Sequence, residues 1–317
     1  MRWMMLILLC TVLLIPCADA SEHILALHEW GVFDVDYQTN EYKALGIPEN
    51  GNVNVRKPII YLYPAYDMSI TVRVGFRGNV LSTIPLAEVE NNVIIWDIDM
   101  EDGHIYDRYM RAYDYLFYEV NLNLSGNIVV KSIHTGTSIL ISMKNNYEFD
   151  IHSIYGIYIY KEKGYIFADT SKLSDYIKAG DKDDGRIWLD GSLLNDTAEY
   201  FESVMKNICM DEGLSMDETE YLLDCWMDEW FKLNGTESLK IIFFIDEKTY
   251  DNLLPIVTTP DATEVVRTGI FYVHSIPVKH EEYMRGVLVG MGIVATFLLA
   301  VVIVVYIFRG RSSMGSK

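Results

Sequence analysis

Residues 69–76 read Ser-Ile-Thr-Val-Arg-Val-Gly-Phe. Ile70, Val72, Val74 and Phe76 alternate with Thr71, Arg73 and Gly75. Successive side chains of a strand point to opposite faces, so this stretch predicts a strand with one buried and one wet face. That is the pattern of an antiparallel sheet. Outward from it, runs rich in Val, Ile, Tyr and Phe recur between turn residues, at 24–35, 53–63, 93–98, 115–122, 128–133, 138–143 and 154–160. Short strands at this spacing predict an antiparallel β-sandwich-like fold.

The pattern changes after residue 169. Phe201, Val204, Met205 and Ile208 recur at helical spacing and predict a helix over 196–212, stopped by Gly213. Ser215 and Glu218 stand three apart, the capping-box signature that opens a second helix. Its apolar stripe is Leu222, Cys225, Trp226, Trp230 and Leu233, closed by Asn234-Gly235. So short a connection predicts an αα-hairpin. Strands are then expected at 239–245 and 265–273, with a turn at 250–254 stopped by Pro255. The fold class is thus mainly β with an α+β carboxy-terminal part. It divides as β-rich 21–169 and α+β 170–284, either as two parts or as one continuous domain.

Two hydrophobic ends predict the topology. Residues 1–20 combine Arg2, an apolar stretch from Met4 to Ile15, the breaker Pro16 and a small-x-small Ala18-Asp19-Ala20, and so read as a secretory signal peptide. Residues 286–308 hold no charged side chain. As a helix at ~1.5 Å per residue they would span ~34 Å, enough to cross a bilayer core. Arg309, Arg311 and Lys317 follow in a tail, 309–317, and basic residues beside a span mark the cytoplasmic side. The expectation is a single-pass plasma-membrane protein with its amino-terminal domain outside. Gly286 and Gly290 stand four apart in the span, the spacing that lets two membrane helices pack closely, so they are candidates for a homodimer contact.

Half of the 317 residues are hydrophobic, which excludes a disordered chain, and the net charge of −19 argues against nucleic-acid binding. Without the ends (Arg2, Asp19, Arg285, Arg309, Arg311, Lys317), the exposed part keeps 21 basic and 44 acidic residues, a balance of about −23. Cys209 and Cys225 are the cysteines left after processing and form the one disulfide candidate in an oxidising exterior. In a tight antiparallel helix pair their axial offset is ~10 Å, beyond the ~7 Å reach of a bridge, which favours two thiols. Asn123, Asn195 and Asn234 each open a glycosylation sequon.

Chemistry-bearing residues are sparse. His28 beside Glu29 offers a base or ligand, yet neighbours on a strand face opposite ways, so a hydrogen-bonded structural role is favoured. Asp97, Asp99, Glu101 and Asp102 crowd a turn and supply hard oxygens of the kind calcium takes, without the EF-hand order. Tyr155, Tyr158 and Tyr160, with Tyr113, Tyr115 and Tyr118 earlier, supply faces that stack on sugars or partners, or simply pack. No Gly-x-Ser-x-Gly elbow, phosphate loop or zinc-spaced Cys/His set is present.

His28-Glu-Trp-Gly-Val-Phe33, Lys57-Pro-Ile-Ile-Tyr-Leu-Tyr63, the 70–76 strand with Ile84-Pro85, Trp226-Met-Asp-Glu-Trp-Phe231, Leu253-Leu-Pro255 and Val265-Val-Arg267 occur in that order. Together they resemble a family of exported prokaryotic proteins of unknown function. The resemblance implies one continuous architecture and brings no activity, cofactor or catalytic residue. The expected function is a surface module binding a protein or glycan partner. The rivals are a membrane-tethered hydrolase working through dispersed carboxylates on envelope polymers, and a dimerising scaffold.

Overall fold

Residues 239–245 read Leu-Lys-Ile-Ile-Phe-Phe-Ile, too apolar for a strand with a wet face, and all seven are buried. The computed structural model, which describes residues 24–37 and 50–281, shows why. The strand lies inside an eight-stranded sheet ordered β13 (Tyr165–Ile177), β12 (Ile151–Glu162), β15 (Glu237–Ile245), β17 (Glu264–Ile276), β1 (Leu25–Asp36), β2 (Asn50–Pro64), β9 (Leu116–Ser125) and β4 (Gly78–Ile84). A second sheet has β14 (Lys182–Trp188), β11 (Ser138–Asn145), β10 (Ile128–His134) and β18 (Lys279–His280). A third has β16 (Ile256–Thr259), β3 (Met68–Gly75), β6 (Val93–Glu101), β7 (His104–Tyr106) and β8 (Ala112–Tyr113), with β5 (Glu88–Glu90) paired to β6. The helices are α1 (Leu194–Asp211), α2 (Met216–Trp230) and the short α3 (Glu247–Leu253). The described chain is thus mainly β, built from several sheets. None of its helices is long and apolar enough to cross a membrane. Residues 1–20, Gly286, Gly290 and the 286–308 span lie outside the described residues.

Both faces of the large sheet are covered. Leu239, Ile241, Phe243 and Ile245 join a core shared with the two smaller sheets, while Ile242 and Phe244 join a core with Phe201, Met205, Trp226 and Trp230 of α1 and α2. β17 divides likewise, Phe271 and Val273 to one side, Ile270 and Tyr272 to the other. A strand buried on both faces has no polar alternation, which is why these segments read as apolar runs. The 70–76 strand behaves as its alternation predicts: Ile70, Val72, Val74 and Phe76 are buried. β13 runs without a break through residues 169 and 170.

The expectation of antiparallel pairing alone is corrected at the middle of the large sheet. β1 and β17, from opposite ends of the described chain, pair in parallel over Ala26–Asp36 and Glu264–His274, and β10 pairs β18 in parallel as well. The β1–β17 register sets Glu29 directly beside Arg267 on one face. Both side chains are fully buried and form an ion pair, with Arg267 Nε donating to Glu29 Oε2 at 2.7 Å. Tyr118 (2.5 Å) and Tyr250 (3.2 Å) donate their hydroxyls to Glu29 Oε1. Arg267 Nη1 reaches Asp251 Oδ1 of α3 at 2.6 Å, and the guanidinium stacks over Tyr250 at 4.2 Å. The neighbouring carboxylate raises Arg267 further above its ordinary range despite burial, and burial raises both tyrosines, so their hydroxyls stay protonated donors. Gly31 leaves room for this cluster: a Cβ there would collide with the Tyr250 hydroxyl. On β2 opposite, Lys57 takes φ 50° at the register shift between β1 and β2. Its Nζ donates to the Cys225 carbonyl at 3.2 Å and lies over the Trp226 ring, tying the bulge to α2.

Lys240 breaks the apolar run of β15 for a reason. Its ammonium is buried at the carboxyl end of α2 and donates to the carbonyls of Glu229 (2.8 Å), Trp230 (2.8 Å) and Lys232 (2.7 Å). These carbonyls lie in the last turn of α2 and just past it, and a cation suits that pole of the helix. Burial pulls its pKa down to about 8, which leaves it charged at neutral pH.

Removing one partner of a buried ion pair leaves the other uncompensated. Arg267→Leu is therefore expected to destabilise the protein by about 3–5 kcal/mol in urea unfolding, and Glu29→Leu in the same background to recover part of that loss.

Candidate functional site

Where one end of the large sheet meets the four-stranded sheet, their side chains enclose a cleft of about 530 Å³. β12 contributes Tyr158 and Tyr160, two residues apart and so on one face, with stacked rings 5.3 Å apart. Tyr160 stands opposite Phe167 of β13 and Glu237 of β15, and Tyr158 opposite Asp169. Cross-strand neighbours share a face, so the register gathers aromatic rings and carboxylates together. The Tyr160 and Phe167 rings stack at 5.4 Å. From the other sheet, the parallel register of β10 and β18 pairs His134 with His280, rings 4.9 Å apart. Leu189, Asp190 and Gly191, after β14, form a further wall.

Glu237 joins the two sheets. One carboxylate oxygen accepts the Tyr158 hydroxyl at 2.5 Å, and the other lies 3.0 Å from His280 Nε2. The Gly136 N–H donates to His134 Nδ1 at 3.1 Å, which assigns the proton of the neutral ring to Nε2. Burial first, then the neighbouring His280, lowers the His134 pKa, so the ring stays neutral near pH 7. The cleft therefore offers an aromatic face from Tyr160, acceptors from Asp190 and Glu237, and donors from His134 and Lys161.

Asp190 separates this cleft from a smaller pocket of about 220 Å³ that holds Asp169. Burial raises Asp169 to about 7, helped by a hydrogen bond with the Asp190 carboxyl. Asp190 is lowered instead, by that bond and by Ser192, whose hydroxyl donates to it at 2.7 Å. Asp169 thus keeps its proton to near neutral pH, while Asp190 beside it is held ionised.

The residues singled out in the sequence go elsewhere. Glu29 serves the buried ion pair, while His28 projects from the opposite face of β1 toward α2. There His28 Nδ1 lies 3.0 Å from Glu218, the Tyr63 hydroxyl donates to the same carboxylate at 2.7 Å, and the Ser215 N–H at 2.7 Å completes the capping box. His28 and Glu29 thus do not converge. Asp97, Asp99 and Glu101 line the exposed face of β6, where Asp97 and Asp99 accept hydroxyls from Thr71 and Ser69 of β3, and Asp102 sits in the turn beyond at φ 51°. Among the described residues no group of three or more His, Cys, Asp or Glu side chains is arranged to hold a metal ion. Cys209 and Cys225 are free thiols, Cys209 fully buried. Asn123, Asn195 and Asn234 are exposed, though the hydroxyl of Thr197 in the second sequon is buried and donates to the Ala168 carbonyl at 2.6 Å. Of the tyrosines, Tyr118 packs inside, whereas Tyr158 and Tyr160 line the cleft. His134, Asp169, Asp190, Glu237 and His280 carry no local motif.

No family model matches the chain, and no curated protein matches it. Solved structures with partial likeness include a yeast delta-COP-I mu-homology domain complexed with a Dsl1 WxWxV peptide, at 8% identity over 80% of this chain and 96% of that one, TM-score 0.27. A further yeast delta-COP-I mu-homology domain gives 8% identity, 81% and 97% coverage and a TM-score of 0.21. The C-terminal globular domain of an oligosaccharyltransferase from Pyrococcus abyssi gives 12% identity, 50% and 38% coverage and a TM-score of 0.12. Likeness at that level carries no argument about this chain.

The His28–Glu218 pair has a signed pH dependence. Its hydrogen bond to Glu218 raises His28 above the ordinary 6.5, so this contribution to stability is complete below that value and is lost as pH rises through the raised pKa. Glu218 is lowered from 4.5: burial opposes ionisation, but the bonds from His28, Ser215 and Tyr63 outweigh it. Its contribution is present above that value and is lost as pH falls through the lowered pKa. In denaturant titrations, the stability lost in His28→Gln is expected to be about 1 kcal/mol larger at mildly acidic than at alkaline pH.

Proposed function

We propose that this chain is a membrane-anchored surface protein whose cleft binds a glycan. The observation that carries the reading is the side-chain set of the cleft: the half-buried ring of Tyr160, flanked by the acceptors Asp190 and Glu237 and the donors His134 and Lys161. A sugar offers an apolar ring face and hydroxyls that both donate and accept, and this set answers each. The anchoring rests on the charge-free 286–308 stretch with its basic tail and on the leader-like first twenty residues. His280 lies six residues before Gly286. Chain of that length reaches at most ~20 Å, so a membrane-anchored chain would hold the cleft close to the lipid surface, within reach of glycolipids and envelope polymers.

The hydrolase reading has one observation in its favour, the opposed pKa shifts of Asp169 and Asp190. A pair of glycosidase carboxyls must stand ~5 Å or more apart to admit the scissile bond, however, and these two share a hydrogen bond. Binding is therefore favoured over hydrolysis at this site.

On an array of envelope and glycolipid glycans, the purified full-length chain in detergent is expected to retain a defined subset. Tyr160→Ala should weaken that binding about tenfold, the loss of about 1–1.5 kcal/mol of aromatic stacking. Retention of no glycan, or equal retention by the variant, would contradict the reading.

A further inference from the structure

The four-stranded sheet has one face that the core does not cover. Val130 of β10, Ile139, Ile141 and Met143 of β11, and Ile187 of β14 point into the core, so the residues alternating with them point outward. The outward positions of the strands carry Lys131, Lys144, Lys182, Arg186 and Lys279 against one acid, Asp184. Asp183 points inward, where it accepts the Ser174 hydroxyl of β13. Among the described residues none of the five basic side chains forms an ion pair. This basic face stands on a chain whose net charge is −19. The strand registers align one row across the whole sheet: Lys279, Ile133, Leu140 and Arg186. Ile133 is 40% exposed. Trp188, two residues on from Arg186 and so on the same face, is 59% exposed, and the Arg186 guanidinium lies 4.6 Å from its ring.

We propose that this face rests on an anionic lipid surface, with its Lys and Arg side chains against the headgroups and Trp188 and Ile133 at the interface. The docking rests on the membrane-anchored reading of the chain. β18, the edge strand of this sheet, is the last described strand, and its His280 stands six residues before Gly286. An anchored chain therefore leaves from the row that holds Lys279 and Ile133, with lipid within ~20 Å of this face. Trp is favoured at headgroup level, because its ring is apolar and its N–H stays wet. Lys and Arg lay their apolar stems along lipid while their charges reach phosphate. The attraction of basic side chains to an anionic leaflet falls off within a Debye length, ~8 Å at physiological salt. The sign of this face, rather than that of the whole chain, thus decides the contact. His134 and His280 point from the same strands into the cleft, so docking by the outward face does not use the cleft residues.

Trp188 is its own probe, because Trp30, Trp96, Trp226 and Trp230 are buried and the 286–308 stretch holds no Trp. The test reconstitutes the full-length protein in phosphatidylcholine vesicles with and without phosphatidylglycerol. Both carry the same fraction of lipid brominated high on its acyl chains, which quenches Trp emission on contact. Flotation after a carbonate wash scores the anchor alone. Quenching is expected in the phosphatidylglycerol vesicles, and should fall about twofold or more in high salt or without the anionic lipid. Trp188→Phe should remove the quenched component. Lys131→Glu combined with Lys279→Glu changes exposed side chains and should reduce quenching about twofold. A chain that floats without quenching, with equal quenching in both lipids, or with no response to the Lys131→Glu, Lys279→Glu change would overturn the docking while the anchor stands. Binding of dextran sulfate without quenching by lipid would assign the face to a soluble polyanion and overturn it as well. A chain that does not float would contradict the anchor itself, and the docking with it.

Discussion

The buried pair of Glu29 and Arg267 is the constraint on which the rest of the architecture depends. It lies on the parallel seam between the first and last long strands of the described chain, with all other described strands but the two-residue β18 between them in sequence. Desolvating two charges is costly, and the cost is offset only by complete hydrogen bonding. Tyr118 from β9 and Tyr250 and Asp251 from α3 add hydrogen bonds to the pair, and Gly31 leaves the space for them. One ion pair thus specifies the β1–β17 register and fixes how α3 sits on the sheet. A shift of one residue along β1 would turn Glu29 toward the other face and leave both charges buried and unpaired.

That seam also explains segments that look unrelated in the sequence. His28-Glu-Trp-Gly supplies both faces of β1, with Glu29 on one side and Trp30 packed under the helices on the other. Val265-Val-Arg267 supplies the counter-charge, and Leu253-Leu-Pro255 ends the helix that carries Tyr250 and Asp251. Lys57-Pro58 forms the β2 bulge and reaches across to Cys225 and Trp226. Each motif is half of a contact, and it acquires meaning only when the other half arrives from far along the chain.

Legibility followed the range of the interactions. Alternation at 70–76, the helical spacing from Phe201 to Ile208 and the Ser215–Glu218 capping box are local, and each appears in the structure near its expected place. The parallel seam was not legible, because an apolar run such as 239–245 reports burial on both faces but not the direction of its neighbours. His28 and Glu29 were legible as residues that diverge, since strand neighbours alternate. The cleft was half legible: Tyr158 and Tyr160 stood out as aromatic faces, whereas Asp190, Glu237, His134 and His280 come from separate segments that only the sheet registers bring together. Lys240 could not be read as a helix cap from its own neighbourhood, because its three carbonyl partners lie eight to eleven residues earlier, across a turn.

Through this seam the two ends of the described chain close a single cooperative structure. Native-state hydrogen exchange on the intact protein tests it most directly. The β1 and β17 amides are expected to exchange only through global unfolding, with the same free energy as those of β12 and β15. Exchange that separates into two independent classes, before and after residue 170, with β1 and β17 opening apart from each other, would contradict it.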